Sequence, residues 1–92
     1  MTQEVTIKLN NKGVRKMICP IKMNTKEDVV RVSEVAANAG IDMSVSCGNA
    51  MIDPRSILGL FAFVGKDALL VAPDDLNPNY FMKLVKRMGV AA

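Results

Sequence analysis

Near the start, Val5, Ile7 and Leu9 alternate with Thr6 and Lys8, the period-two pattern of a strand. Asn10 to Gly13 is a turn signal, with a glycine available for positive φ. The next stretch, "VRKMICPIKM" from Val14 to Met23, predicts a second strand. Pro20 has no backbone donor, so this strand should lie at an edge or break near its end. The segment "NTKEDVVRVSEVAANAG" carries apolar Val29, Val32, Val35, Ala36 and Ala39 at helical spacing. Asn24 with Glu27, or Thr25 with Asp28, forms a capping box at its start, and Gly40 is a natural stop. Its four valines have low helix propensity, so tertiary burial must hold it.

Strict alternation returns in "IDMSVSC". Ile41, Met43, Val45 and Cys47 fall on one face and Asp42, Ser44 and Ser46 on the other. Gly48-Asn49 signals a tight hairpin, and "AMID" returns as a short strand. "SILGLFAFVG" predicts a short apolar helix, with Ile57, Leu60, Phe61 and Val64 on one face and Leu58 pointing elsewhere. "DALLVA" has the composition of a buried strand, and Pro73-Asp74-Asp75 turns the chain. The last helix is "NPNYFMKLVKRMG": Asn77 caps it, Pro78 suits its first position, and Phe81, Leu84, Val85 and Met88 form its apolar stripe. The order β, β, α, β, β, α, β, α predicts an α+β open-faced sandwich, an antiparallel sheet with three helices on one face. The turn signal at Asn10 to Gly13 favours reading the first segment as an extra N-terminal edge strand, sticky toward other chains unless protected.

Composition narrows the function. The 92 residues fit a single domain over 1–92. Aromatics make up only 4% and there are seven Met, so an aliphatic core with Met as filler is expected. There is no His, which removes histidine triads, common zinc sites and phosphohistidine chemistry. Cys19 and Cys47 are far apart with no CxxC motif, and "MTQEV" has no apolar signal core. A cytoplasmic protein with reduced, buried thiols, no metal and no cofactor is expected. No stretch reaches the ~20 apolar residues of a membrane span. The net charge of +3 is scattered except at Lys83, Lys86 and Arg87, which suit the carbonyl end of a helix, so nucleic acid is not an expected partner.

The element order, together with "RSILGL" and its approach "SVSCGNAMIDPRS", resembles the HPr family, small phosphocarriers of the bacterial sugar phosphotransferase system. The resemblance runs from about Met17 to Met88, ending in "FMKLVKRMG". It implies a β-α-β-β-α-β-α open-faced sandwich. It also implies a catalytic His capping the first helix, an Arg two residues later, and a Pro. Here the His position falls on Thr25, the Arg position on Glu27 and the Pro position on Asp28. The glycine-flanked loop before the family's last strand is also absent. The alternative to an extra N-terminal edge strand is to match "QEVTIKLNNKG" to the family's first strand across a long insertion before the first helix. Two acids in the first turn favour a capped helix and disfavour a phosphate there. In Gram-positive members a Ser at the start of the second helix is phosphorylated by a dedicated kinase, and the His-less paralogue Crh keeps only that Ser. The matching residue is Ser56.

The resemblance therefore implies a non-enzymatic regulatory or adaptor protein that binds partners such as an HPr-type kinase or a transcriptional regulator. Arg55, Ile57, Leu58 and Leu60 are candidate contacts and Ser56 a candidate phosphosite, with Arg55 able to pair with the phosphate. Ser56 as a plain N-cap is the competing reading, and Asp53-Pro54 could start the helix instead. Two alternatives remain open: a sugar-transport phosphocarrier, and a binding module on a reused HPr fold.

Overall fold

The structure, a computed structural model, describes residues 6–9, 15–73 and 75–92. Five strands, β1 (Thr6–Leu9), β2 (Arg15–Lys22), β3 (Ser44–Cys47), β4 (Ala50–Ile52) and β5 (Asp67–Pro73), form one antiparallel sheet in the order β1-β2-β5-β3-β4. Three helices, α1 (Lys26–Ala39), α2 (Ile57–Phe61) and α3 (Pro78–Met88), complete a small α+β domain. β1 pairs with β2 from Thr6↔Ile18 to Leu9↔Arg15 and lies at one edge of the sheet. The expected turn at Asn10 to Gly13, Val5 and Asp74 of the Pro73–Asp75 turn lie outside the described residues.

The register sorts the side chains. Cys19 pairs with Leu70, which pairs with Val45, and all three are buried. Met17, Ile21, Ala68 and Ala72 share that core face, and Val29, Val32, Ala36, Leu60, Phe81, Leu84, Val85 and Met88 cover it from the helices. Every second residue of β5 therefore faces away from the core. "DALLVA" had the composition of a buried strand, but Leu69 is 38% exposed. An open-faced sheet has only one side to bury, and composition alone does not reveal that.

Pro20 sits where its missing donor costs no pairing with β5. Its carbonyl faces the outer side and accepts from Ala92 N, while Lys22 N donates to the Val90 carbonyl. The last residues thus cover the edge of β2 beyond the end of β1, and Val90 is buried there. Strand β3 is shorter than the alternation from Ile41 suggested. Its pairing to β5 begins at Ser44↔Val71, close to where β5 ends in the donorless Pro73.

Both long helices follow their sequence signals. Of the two possible boxes at α1, Thr25 with Asp28 forms. Asn77 caps α3, Pro78 opens it, and Gly89 closes it at φ 67°. The helices are tied together by Arg31, whose Nε donates to the Met88 carbonyl at 2.7 Å, satisfying an orphan carbonyl at the end of α3.

Candidate functional site

The stretch from Asp53 to Phe61 is built from the residues upward. Pro54 is buried in a turn closed by Ser56 N donating to the Asp53 carbonyl at 2.9 Å. Proline at the second turn position presets the required φ. Asp53 turns its carboxylate back over this loop and accepts from Arg55 N at 2.9 Å. The helix therefore starts after Ser56 and not at Asp53-Pro54. Ser56 has extended backbone and its Oγ accepts from Gly59 N at 3.4 Å, a long capping bond. Gly59 packs closely: a Cβ there would lie 3.2 Å from Ile52 Cδ1 and 3.3 Å from Ser56 Oγ, so a larger residue requires these side chains to shift by a few tenths of an ångström.

A residue the sequence reading passed over fixes this loop to the body of the protein. Ser33, buried on α1, donates from Oγ to the Arg55 carbonyl at 3.2 Å. Nothing in the valine-rich stripe marks Ser33 as special. Its position one residue after Val32, turned toward α2, becomes visible only once the helices are packed.

α2 is shorter than "SILGLFAFVG" suggested. After Phe61 the chain continues in turns with i to i+3 bonds, Phe63 N to Leu60 O and Lys66 N to Phe63 O. This tighter spacing puts Leu60 and Phe63 on the same inner side, both buried. Leu60 is fully buried, so it anchors the helix and is corrected from a partner contact to a core residue. Ile57 and Phe61, expected on its face, are instead 39% and 40% exposed, and Leu58 is 84% exposed. Ile57 with Phe61 and Leu58 with Phe61 are helical neighbours, so the outward surface consists of Ile57, Leu58 and Phe61.

Arg55 is exposed but not free. Its Nη2 lies 2.6 Å from Asp53 Oδ2 and its Nε within 3.1 Å of both carboxylate oxygens. Asp42 approaches the same guanidinium at 4.0 Å. The Arg55 side chain, helped by its own backbone N–H, holds the Asp53 carboxyl down at about 2. A phosphate on Ser56 must therefore compete with Asp53 for Arg55.

Thr25 caps the start of α1. Its Oγ1 accepts from Asp28 N at 3.1 Å, while Asp28 Oδ2 accepts from Asn24 N at 2.9 Å and Thr25 N at 3.2 Å. The Asn24 N–H, then Arg31 and the Thr25 N–H, lower the Asp28 pKa. The Asp28 carboxylate thus takes the N–H groups of Asn24 and Thr25 just before α1, the Thr25 hydroxyl takes that of Asp28, and the negative charge of Asp28 in the first turn disfavours an anion there.

Cys19 is buried and Cys47 half-buried, and both are free thiols. Burial pushes the Cys19 pKa up, which keeps it an unreactive packing group. Among the described residues no cluster of three metal-ligating side chains occurs and no helix is long and apolar enough to cross a membrane. Compared with protein-family models, curated proteins and solved structures, the chain matches none.

Proposed function

We propose that this protein is an HPr-like adaptor without phosphohistidine activity, which binds protein partners through the outward surface of α2 and is switched by phosphorylation of Ser56. The single observation that carries the reading is Leu58, 84% exposed on a helix whose opposite side is anchored by the fully buried Leu60. A short helix that presents Ile57, Leu58 and Phe61 to solvent, with the exposed Ser56 at its head, suits docking of an apolar partner surface. The element order from β2 to α3 is the order the HPr resemblance implies. The occupied cap at Thr25 and Asp28, and the absence of His, speak against a phosphocarrier.

In the switch, Ser56 Oγ attacks the γ-phosphoryl group of ATP on a kinase. The Oγ–P bond forms, the bond to the ADP leaving group breaks, and the hydroxyl proton passes to the kinase's base. The new dianion then draws Arg55 from Asp53, since a phosphate offers more charge and more acceptor oxygens than a carboxylate. The kinase must dock beside Ser56, so its rate reports on the α2 surface. With an HPr-type kinase and ATP, Leu58→Glu should lower kcat/KM for Ser56 at least about tenfold, a loss of ~1.4 kcal/mol, with an unchanged circular dichroism spectrum. An unchanged kcat/KM would show that α2 is not the docking surface.

A further inference from the structure

Among the described residues no element covers the sheet face opposite the helices, and its pattern is complementary to itself. Three cross-strand pairs of β2 and β5 lie on it in succession: Ile18↔Val71, Pro20↔Leu69 and Lys22↔Asp67. The first two are apolar, with Pro20 exposed and Leu69 38% exposed. The third is an exposed cation beside an exposed anion, and the two are not joined in an ion pair within the chain. Beside Pro20 and Leu69 the surface is concave, a hollow of about 340 Å³ rimmed by Ser46, Gly48 and Ala92.

We infer that this face is an interface between two copies of the chain. The geometry follows from the register. Two sheets packing face to face lie about 10 Å apart with their strands nearly aligned. A two-fold axis between the sheets, along the strands and midway between β2 and β5, sets β2 of each copy over β5 of the other at the same height. Every cross-strand pair then meets its own reverse. Lys22 of each copy lies over Asp67 of the other, Pro20 over Leu69, and Ile18 over Val71. The apolar centre is buried and two equivalent ion pairs close one end, as an isologous contact requires. The two strands carry charged and apolar positions at matching heights, with opposite sign at the charged pair, so the face fits a second copy with no further element. The helix layers point outward, so the dimer displays two α2 surfaces on opposite sides.

Charge reversal tests this in a way that folding defects cannot imitate. In Lys22→Glu every intermolecular pair becomes acid against acid, and in Asp67→Lys base against base. Each variant alone should lose affinity for itself at least about tenfold. Mixed together, the two restore attraction in both pairs and should form a heterodimer. Sedimentation velocity of the full chain over a concentration series reads all three samples, and Leu69→Arg, which places a charge in the apolar centre, should be monomeric. A wild type that stays monomeric up to millimolar concentration overturns the inference. So does a dimer untouched by Leu69→Arg, or a mixture that associates no better than the separate variants. Ser56 labelling is read separately, on the other side of the sheet, so either result stands without the other.

Discussion

Ser33, Ser56 and Asp53 shape the loop at the head of α2, and they differ in weight. Ser33 makes a buried hydrogen bond to the Arg55 carbonyl, and Ser33→Ala strands that acceptor, a change worth about 1–2 kcal/mol. Ser56→Ala removes a capping bond that is long at 3.4 Å, on a helix of five residues, and should cost only about 0.5 kcal/mol, the low end for caps. Urea unfolding of the two variants should give that order, and a larger loss at Ser56 would make it a structural cap first. Asp28 and Asp53 have pKa values lowered by hydrogen bonds and by Arg31 and Arg55. A depressed carboxyl stabilises the fold above its unfolded pKa, near 4, and that contribution is lost as pH falls toward its folded value, about 2 for Asp53. Both groups are near the surface, so the effect is modest and weakens with salt. Urea midpoints of the wild type should fall between about pH 4 and pH 2, and Asp28→Ala/Asp53→Ala should show a shallower fall. An equally steep acid limb in both proteins would contradict this assignment.

At the scale of elements, α2 is the part most easily misread. A helix hydrophobic on nearly every side gives no period that distinguishes anchor from display. The sequence places Leu60, Ile57 and Phe61 together, whereas only Leu60 joins the buried core, and Ile57 and Phe61 stay exposed. The consequence is a sharp contrast between near neighbours. Leu60→Ala should destabilise by about 2–5 kcal/mol, whereas Leu58→Ala should change stability by less than about 0.5 kcal/mol. Thermal or urea unfolding decides this, and comparable losses at both positions would mean Leu58 is not displayed. By contrast, α1 and α3 were legible to within a residue. Thr25 with Asp28, Asn77 with Pro78, and the glycines at 40 and 89 are local signals, and local signals survive folding unchanged.

For the molecule as a whole, the alternation of strands and helices was sufficient to read an open antiparallel sheet backed by helices. It was not sufficient to say which side of β5 is bare, because Leu69 and Val71 look like core residues until the register sets them opposite Pro20 and Ile18. Nor could spacing show the end of the chain returning to the edge of β2, a contact between Lys22 and Val90 that only tertiary structure brings about. The same folding makes the two helix starts unlike each other: the Asp28 carboxylate folds back onto the N–H groups of Asn24 and Thr25 before α1, while Ser56 is exposed at the head of α2. The most direct measurement is therefore the intact mass of wild type and Ser56→Ala after incubation with an HPr-type kinase and ATP, and separately with phosphoenolpyruvate and the first enzyme of the phosphotransferase system. The adaptor reading predicts one phosphate on the wild type with the kinase, none on Ser56→Ala, and none on either with phosphoenolpyruvate. An unmodified wild type with the kinase, equal labelling of Ser56→Ala, or a labile phosphoryl adduct from phosphoenolpyruvate would contradict it.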